Sequence, residues 1–290
     1  MSSQDCHNPG PKPAWLRRPL APAGGRVRAH LAGLHTICQE ARCPNRAECH
    51  GRGEAAFLLL GPACTRRCTF CAVAKTAPAP PDPAEPGRVA AAAAALGLDY
   101  CVLTMVTRDD LNDGGAAHLA AAISAVRAAS PGARVEALIS DLAGDHAALA
   151  TVLAAGPAVL NHNLETVPRL YAAVRPRAVY RRSLKLLAAA RSLAPAVPTK
   201  SGLMLGLGEE RSEVLRVMDD LLAAGVSLIT LGQYLAPGPD HHPVVRWVTP
   251  EEFAELGREA RRRGFAGVAS APLTRSSHQA GALYAGLAGR

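Results

Sequence analysis

Between residues 56 and 269, short runs of aliphatic and β-branched residues alternate with longer Ala- and Leu-rich stretches whose apolar positions recur at helical spacing. The short runs predict strands at 56–60, 100–106, 134–139, 158–161, 199–205, 227–231 and 265–269. The longer stretches predict helices at 86–96, 116–129, 145–155, 167–174, 181–193, 210–224 and 250–263. Strands alternating with helices imply a parallel α/β sheet with right-handed crossovers, either doubly wound or curled into a full or partial barrel. Six or seven units suit a partial (β/α) TIM-like barrel better than the eight of a closed one. Both arrangements put function at the C-terminal ends of the strands.

Residues 1–54 are rich in Pro, Gly, Arg and Cys and show little periodicity, so they predict an irregular extension with one short helix. The chain then divides into this extension, a barrel over 55–270 and a tail over 271–290. At 290 residues and 49% hydrophobic, it can bury one large core. Arg, Asp, Pro or Gly interrupts every apolar run short of the roughly 20 residues of a membrane span, so no membrane partner is expected. The first thirty residues hold Asp5, five prolines, three glycines and no signal-peptide core, which makes the expected location cytoplasmic. A formal charge of +8 raises nucleic-acid binding, but aromatic content is only 4% and the arginines are scattered. An acidic protein partner or an anionic cofactor accounts for the charge without nucleic acid.

Eight cysteines in a chain without a secretion signal point to metal rather than disulfides. Directly after the first strand stands Cys64-Thr-Arg-Arg-Cys68-Thr-Phe-Cys71, which puts three thiols on one loop at the functional end of the sheet. Three thiolates hold three irons of a 4Fe-4S cluster and leave the fourth open to chelate a small molecule. Arg66 and Arg67 are expected to favour thiolate over thiol, and Phe70 to shield the cluster from water. A zinc loop or a redox thiol group is the alternative.

A second triad, Cys38, Cys43 and Cys49 in Cx4Cx5C spacing, lies wholly in the extension and is expected to bind separately, as a second cluster or as zinc completed by His35 or His50. Cys101, on a predicted strand, reads as a buried small hydrophobe, and Cys6 has no assigned role. His241 and His242, in a Pro-rich loop, read as structural.

The first triad resembles the signature of radical S-adenosylmethionine (SAM) enzymes, and residues 34–284 as a whole resemble the lipoyl synthase family. The matching segments are His35-Thr-Ile-Cys-Gln-Glu-Ala-Arg-Cys-Pro-Asn45 with Glu48-Cys49, Arg108-Asp-Asp-Leu-Asn-Asp-Gly-Gly115 and His162-Asn-Leu-Glu-Thr166. Tyr180-Arg-Arg-Ser183, Lys200-Ser201, Gly206-Leu-Gly-Glu209, Gln233-Tyr-Leu235 and Arg275-Ser-Ser277 match as well. The resemblance implies that two SAM molecules are cleaved in turn, each radical removing a hydrogen from carbon six or eight of a protein-bound octanoyl-lysine. It also implies that an auxiliary 4Fe-4S cluster on Cys38, Cys43 and Cys49 gives up its own sulfur. The implied partners are octanoylated lipoyl domains of 2-oxoacid dehydrogenases, the glycine-cleavage H protein, and an electron donor such as ferredoxin or flavodoxin. The implied fourth ligand of the auxiliary cluster is Ser277, with Ser276 turned away or bonded to backbone; otherwise both hydroxyls only cap the tail.

The resemblance also suggests contacts to SAM, each with a plainer reading. Gly114 and Gly115 either admit the SAM methionine against the backbone or form a turn opening the next helix. Asn163 and Glu165 either bind SAM ribose or amino groups or cap a helix. Arg182 and Lys200 either hold the SAM carboxylate or are solvated at element ends. His278-Gln279 stands where the family usually has Tyr-His, and Met105 occupies a position usually small; the former change bears on carrier docking more than on chemistry. A biotin-synthase-like sulfur inserter, whose auxiliary ligands would lie within the barrel, is one alternative. A non-catalytic iron-sulfur or zinc protein is the other.

Overall fold

The computed structural model describes residues 9–17, 25–31, 33–52 and 54–288; Cys6 lies outside the described residues. Its eight strands run in the spatial order of the sequence, β1 (His35–Thr36), β2 (Ala56–Leu59), β3 (Tyr100–Met105), β4 (Arg134–Leu138), β5 (Val159–Asn161), β6 (Thr199–Leu205), β7 (Leu228–Gln233) and β8 (Gly267–Ser270). Strands β2 to β8 are parallel neighbours, and β8 does not pair back onto β1, so the sheet is an open, partial barrel.

All seven predicted strands are present, with ends shifted by at most two residues. Helices α4 (Glu85–Leu96), α5 (Ala116–Ala129), α6 (His146–Ala154), α8 (Tyr180–Leu193), α9 (Arg211–Ala223) and α10 (Pro250–Arg263) fill the crossovers. Their ends follow local chemistry: Thr249 and Glu252 form a capping box with Pro250 at the first turn of α10, and Gly264 closes it in the left-handed region. The stretch expected to be one helix over 167–174 is instead a 3-10 turn, Pro168–Leu170, followed by α7 (Tyr171–Val174). The apolar faces of α4, α5 and α6 pack on β2 to β5, while those of α9 and α10 pack on β6 to β8. No helix among the described residues is long and apolar enough to cross a membrane.

Both chain ends are more structured than their patterns suggested. The extension holds α1 (Gly25–His30), α2 (Ile37–Glu40) and α3 (Arg46–Gly51), and β1 joins it to the sheet by antiparallel pairing of His35 with Leu58 and Thr36 with Phe57. Helices of four to six residues are too short to show periodicity and depend on tertiary contacts. Val27 and Leu31 supply such contacts, being buried in the core beneath α4. The tail, for which no element was predicted, ends in α11 (Ala280–Ala288), whose Gly281 lies against Tyr100 and whose Leu283 lies against Gly267. Tyr100 and Gly267 begin β3 and β8, so α11 spans the opening between the two sides of the barrel.

Candidate active site

Leaving β2, the chain enters the Cys64–Cys71 loop, which backbone bonds clamp against three neighbours. Cys64 N donates to the Ala74 carbonyl (2.8 Å), Thr65 N to that of Thr107 (3.1 Å) and Thr69 N to that of Val174 (3.0 Å). The His242 N–H closes over the loop onto the Thr69 carbonyl, and its ring bonds the Leu207 carbonyl, so His242 is structural as expected. Phe70 packs beside Val174, Leu207 and Tyr234.

The second triad is carried over the same end of the barrel by α2 and α3. Asn45 donates to the Leu273 carbonyl (2.7 Å) and Arg42 to the Pro237 carbonyl (3.1 Å), so segments following β7 and β8 hold the extension in place. All six triad cysteines, together with Asn163, Glu165, Arg275, Ser276 and Ser277, line one cavity of about 1100 Å³. All six are free thiols, and Cys101 is buried and outside the cavity. Among the described residues, no three His, Cys, Asp or Glu side chains lie close enough to hold a single metal ion.

Burial pushes the Cys38 thiol up to about 11 and those of Cys49 and Cys71 up to about 12. Cys68 is also raised, burial again being the main cause. Within each triad the neighbouring thiols add to the effect: Cys38 and Cys43 act on Cys49, and Cys64 and Cys68 act on Cys71. Thiols raised in this way, Cys38, Cys49, Cys68 and Cys71, are suited to becoming thiolate as cationic iron binds, with release of the protons.

Of the arginines beside the thiols, Arg66 lowers the Cys68 thiol as expected, though less than Arg175 does. Arg66 is buried and committed to carboxylates, meeting Asp109 at 2.8 and 3.0 Å and Asp141 at 2.6 and 2.9 Å. Arg67 is exposed. The cation acting most on Cys68 is Arg175, anchored to the carbonyls of Asn163 and Leu164 at 3.0 Å. The spacing of the motif put Arg66 next to the sulfurs, but Asp109 and Asp141 come from the loops after β3 and β4, which no local pattern reveals.

Of the suggested SAM contacts, Asn163 and Glu165 reach the cavity, while Gly114, Gly115, Arg182 and Lys200 lie outside its lining. A Cβ on Gly115 would come within 2.4 Å of Leu60 and 3.1 Å of Met105, so its missing side chain makes room for these two residues. A Cβ on Gly114 would meet Leu142 only at an ordinary contact distance of 3.4 Å; what favours glycine there is its left-handed backbone, φ 62°. Arg182 approaches Asp141 at 3.4 Å, and Lys200 is fully buried inside the barrel. Glu165 has a left-handed backbone (φ 65°) and bridges to Leu203; burial raises its carboxyl, while Arg175, a hydrogen bond from Asn163 and Arg275 oppose the rise. A non-glycine residue held in this region beside a cavity is a sign of function.

The Asp141 carboxylate, fully buried between Arg66 and Arg182, is held down to about 2 against its burial by the hydrogen bonds and charge of Arg66. Its folded-state value is depressed, so its contribution to stability is present above the ordinary aspartate range and is lost as pH falls from about 4 through about 2. Asp141→Asn is expected to destabilise the fold by about 3 kcal/mol at neutral pH, because Arg66 is left underpaired in the interior. Denaturant unfolding of the two proteins measures it.

Gly202 and Gly232 went unnoticed in the sequence. A Cβ on Gly232 would fall 2.1 Å from the Thr274 carbonyl oxygen, and one on Gly202 would fall 2.9 Å from the Ser276 hydroxyl. Glycines at the same face of adjacent strands thus make room for the tail, and isolated glycine inside a strand was the available signal. The Ser276 hydroxyl donates to Asn163 Oδ1 (3.0 Å) and approaches that of Thr230 (3.5 Å), a side-chain setting for a hydroxyl expected to turn away or to bond to backbone. The Ser277 hydroxyl has no partner among the described residues and faces the cavity.

An open parallel barrel that delivers three thiols on the loop after its first parallel strand has the architecture of a radical SAM enzyme, and residues 58–221, more than half of the chain, match the radical SAM superfamily. Methylornithine synthase shares the fold with a TM-score of 0.57 at 15% identity, over 82% of this chain and 72% of that one. The FeFe-hydrogenase maturase HydG from Carboxydothermus hydrogenoformans does so with a TM-score of 0.57 at 16% identity, over 73% and 52%. The sequence is 52% identical over 275 residues to lipoyl synthase of Citrifermentans bemidjiense, covering 93% of each chain. It is 55% identical to that of Methylococcus capsulatus, covering 93% of this chain and 85% of the other. The chain belongs to the lipoyl synthase family, whose members are radical SAM sulfurtransferases. A 4Fe-4S cluster, SAM and a protein-bound octanoyl substrate come with that membership.

Proposed function

We propose that the protein inserts two sulfur atoms, at carbons six and eight, into an octanoyl-lysine carried on a lipoyl domain, using two 4Fe-4S clusters. The observation that carries this reading is the single cavity shared by both cysteine triads and Ser277. Cys64, Cys68 and Cys71 would hold one cluster, and Cys38, Cys43, Cys49 and Ser277 would hold the other. When bound, the first supplies the electron that cleaves SAM to methionine and a 5'-deoxyadenosyl radical, and the second supplies sulfur.

The protein's own groups bind and orient. The Glu165 carboxylate, raised by burial, is suited to a cationic partner such as the SAM amino group, and Asn163 orients it through a hydrogen bond. Arg175 offsets negative charge at Cys68. Phe70 and Tyr234 limit water on the same wall of the cavity. Arg42, Arg46 and Arg67 are exposed close to the triads in the chain and suit an acidic carrier, either a 2-oxoacid dehydrogenase lipoyl domain or the glycine-cleavage H protein. The electron comes from a ferredoxin or flavodoxin.

Mass spectrometry of an octanoylated lipoyl domain, incubated anaerobically with the reconstituted protein, SAM and reductant, is expected to show the gain of two sulfurs. SAM cleavage without sulfur gain would overturn the proposal in favour of another radical SAM activity.

A further inference from the structure

We infer that Lys200 and Glu136 form a latch inside the barrel that grips the backbone of the C-terminal tail and so positions Ser277. The inference rests on the reading of Ser277 as a cluster ligand, but the grip itself is a property of the protein chain.

The Lys200 ammonium, wholly buried on β6, has three protons and three acceptors. It meets Glu136 Oε1 at 2.9 Å, Glu136 Oε2 at 3.0 Å and the Ser276 carbonyl at 2.6 Å. Glu136, on β4 and equally buried, accepts further bonds from the Tyr100 hydroxyl (2.7 Å) and the Asn161 amide (2.8 Å). Asn161 is paired with Lys200 in the register of β5 and β6, so three adjacent strands carry this polar row. A buried ion pair is a poor stabilising device, since a well-packed apolar pair serves as well or better. What an apolar pair cannot do is satisfy the carbonyl of a tail that has no strand partner there.

That carbonyl belongs to the residue before Ser277. The grip continues on both sides of it. Upstream, Asn45 holds the Leu273 carbonyl, and the missing side chain of Gly232 admits Thr274. Downstream, Tyr100 carries the polar row to α11, packing on Gly281 and on the Tyr284 ring at 5.8 Å between centroids. Lys200 and Glu136 are therefore positioning residues, acting on the cluster site only through the tail backbone.

The test is the double variant Glu136→Gln with Lys200→Met, which removes both charges together and avoids a lone buried carboxylate. In the anaerobically reconstituted protein, hydrogen exchange of residues 274–284 is expected to rise about tenfold or more, as the charged bond to Ser276 is lost. Sulfur insertion should fall by about the same factor while 5'-deoxyadenosine formation from SAM stays within about threefold. Glu136→Gln with Lys200→Gln, which likewise removes both charges but fills the site with amides in place of the apolar Met, is the second variant and is read in the same way should the first not fold. Unchanged tail exchange in the variant that folds would overturn the latch. Loss of SAM cleavage with a protected tail would overturn it too, by returning Lys200 to the cofactor. Ser277→Ala serves as the control: if it retains sulfur insertion while the latch variants loosen the tail, the ligand reading fails and the latch stands.

Discussion

Cys43→Ala is expected to abolish sulfur insertion while SAM cleavage continues, and to lower the iron content of the reconstituted protein from about eight to about four per chain. The two triads lie on different segments, one on the helical extension and the other on the loop after β2, and the electrostatic coupling among thiols runs within each triad. Removing one sulfur from the extension therefore leaves the Cys64, Cys68 and Cys71 site untouched. Cys68→Ala is the mirror experiment and should abolish 5'-deoxyadenosine formation altogether. Lipoyl product from the Cys43 variant would place the sulfur source elsewhere, and an iron content near four in the unaltered protein would remove the second cluster.

Ser277→Ala should lose nearly all sulfur insertion without loss of folding stability, whereas Ser276→Ala should lose little activity and about 1 kcal/mol of stability. The asymmetry follows from their surroundings. Ser276 spends its hydroxyl on Asn163 and Thr230, while Ser277, whose hydroxyl has no partner among the described residues, lines the cavity shared with Cys38, Cys43 and Cys49. An oxygen ligand is harder than thiolate and is held less firmly by an iron-sulfur cluster, which suits a cluster whose sulfur is consumed. The reverse pattern would move the ligand by one residue, and full activity in both variants would remove serine from the site.

The order of strands and helices was legible from residue 56 onward because each element carries its own pattern. Strands such as Thr199–Leu205 have a short apolar run, and helices such as Pro250–Arg263 have an apolar stripe with a cap at either end. The cysteine triads were legible for a related reason, since ligands supplied by one loop are close in sequence and their spacing records the geometry. The extra strand His35–Thr36 and the helix Ala280–Ala288 were not, because two residues or an evenly apolar, glycine-containing segment acquire their structure only from Leu58, Tyr100 and Gly267 far along the chain. The same limit explains the charged residues. Arg66, Arg182 and Lys200 announce a positive charge on a loop or near the start of an element, but whether that charge meets a cofactor or a carboxylate depends on Asp109 and Asp141, from the loops after β3 and β4, and on Glu136, from β4. Gly115 likewise declares that something approaches its backbone, and only the fold shows that it is Leu60. Local periodicity and ligand spacing are short-range properties written in the order of residues; the partner of a buried charge or a bare glycine is set by the curvature of the sheet that brings distant strands face to face.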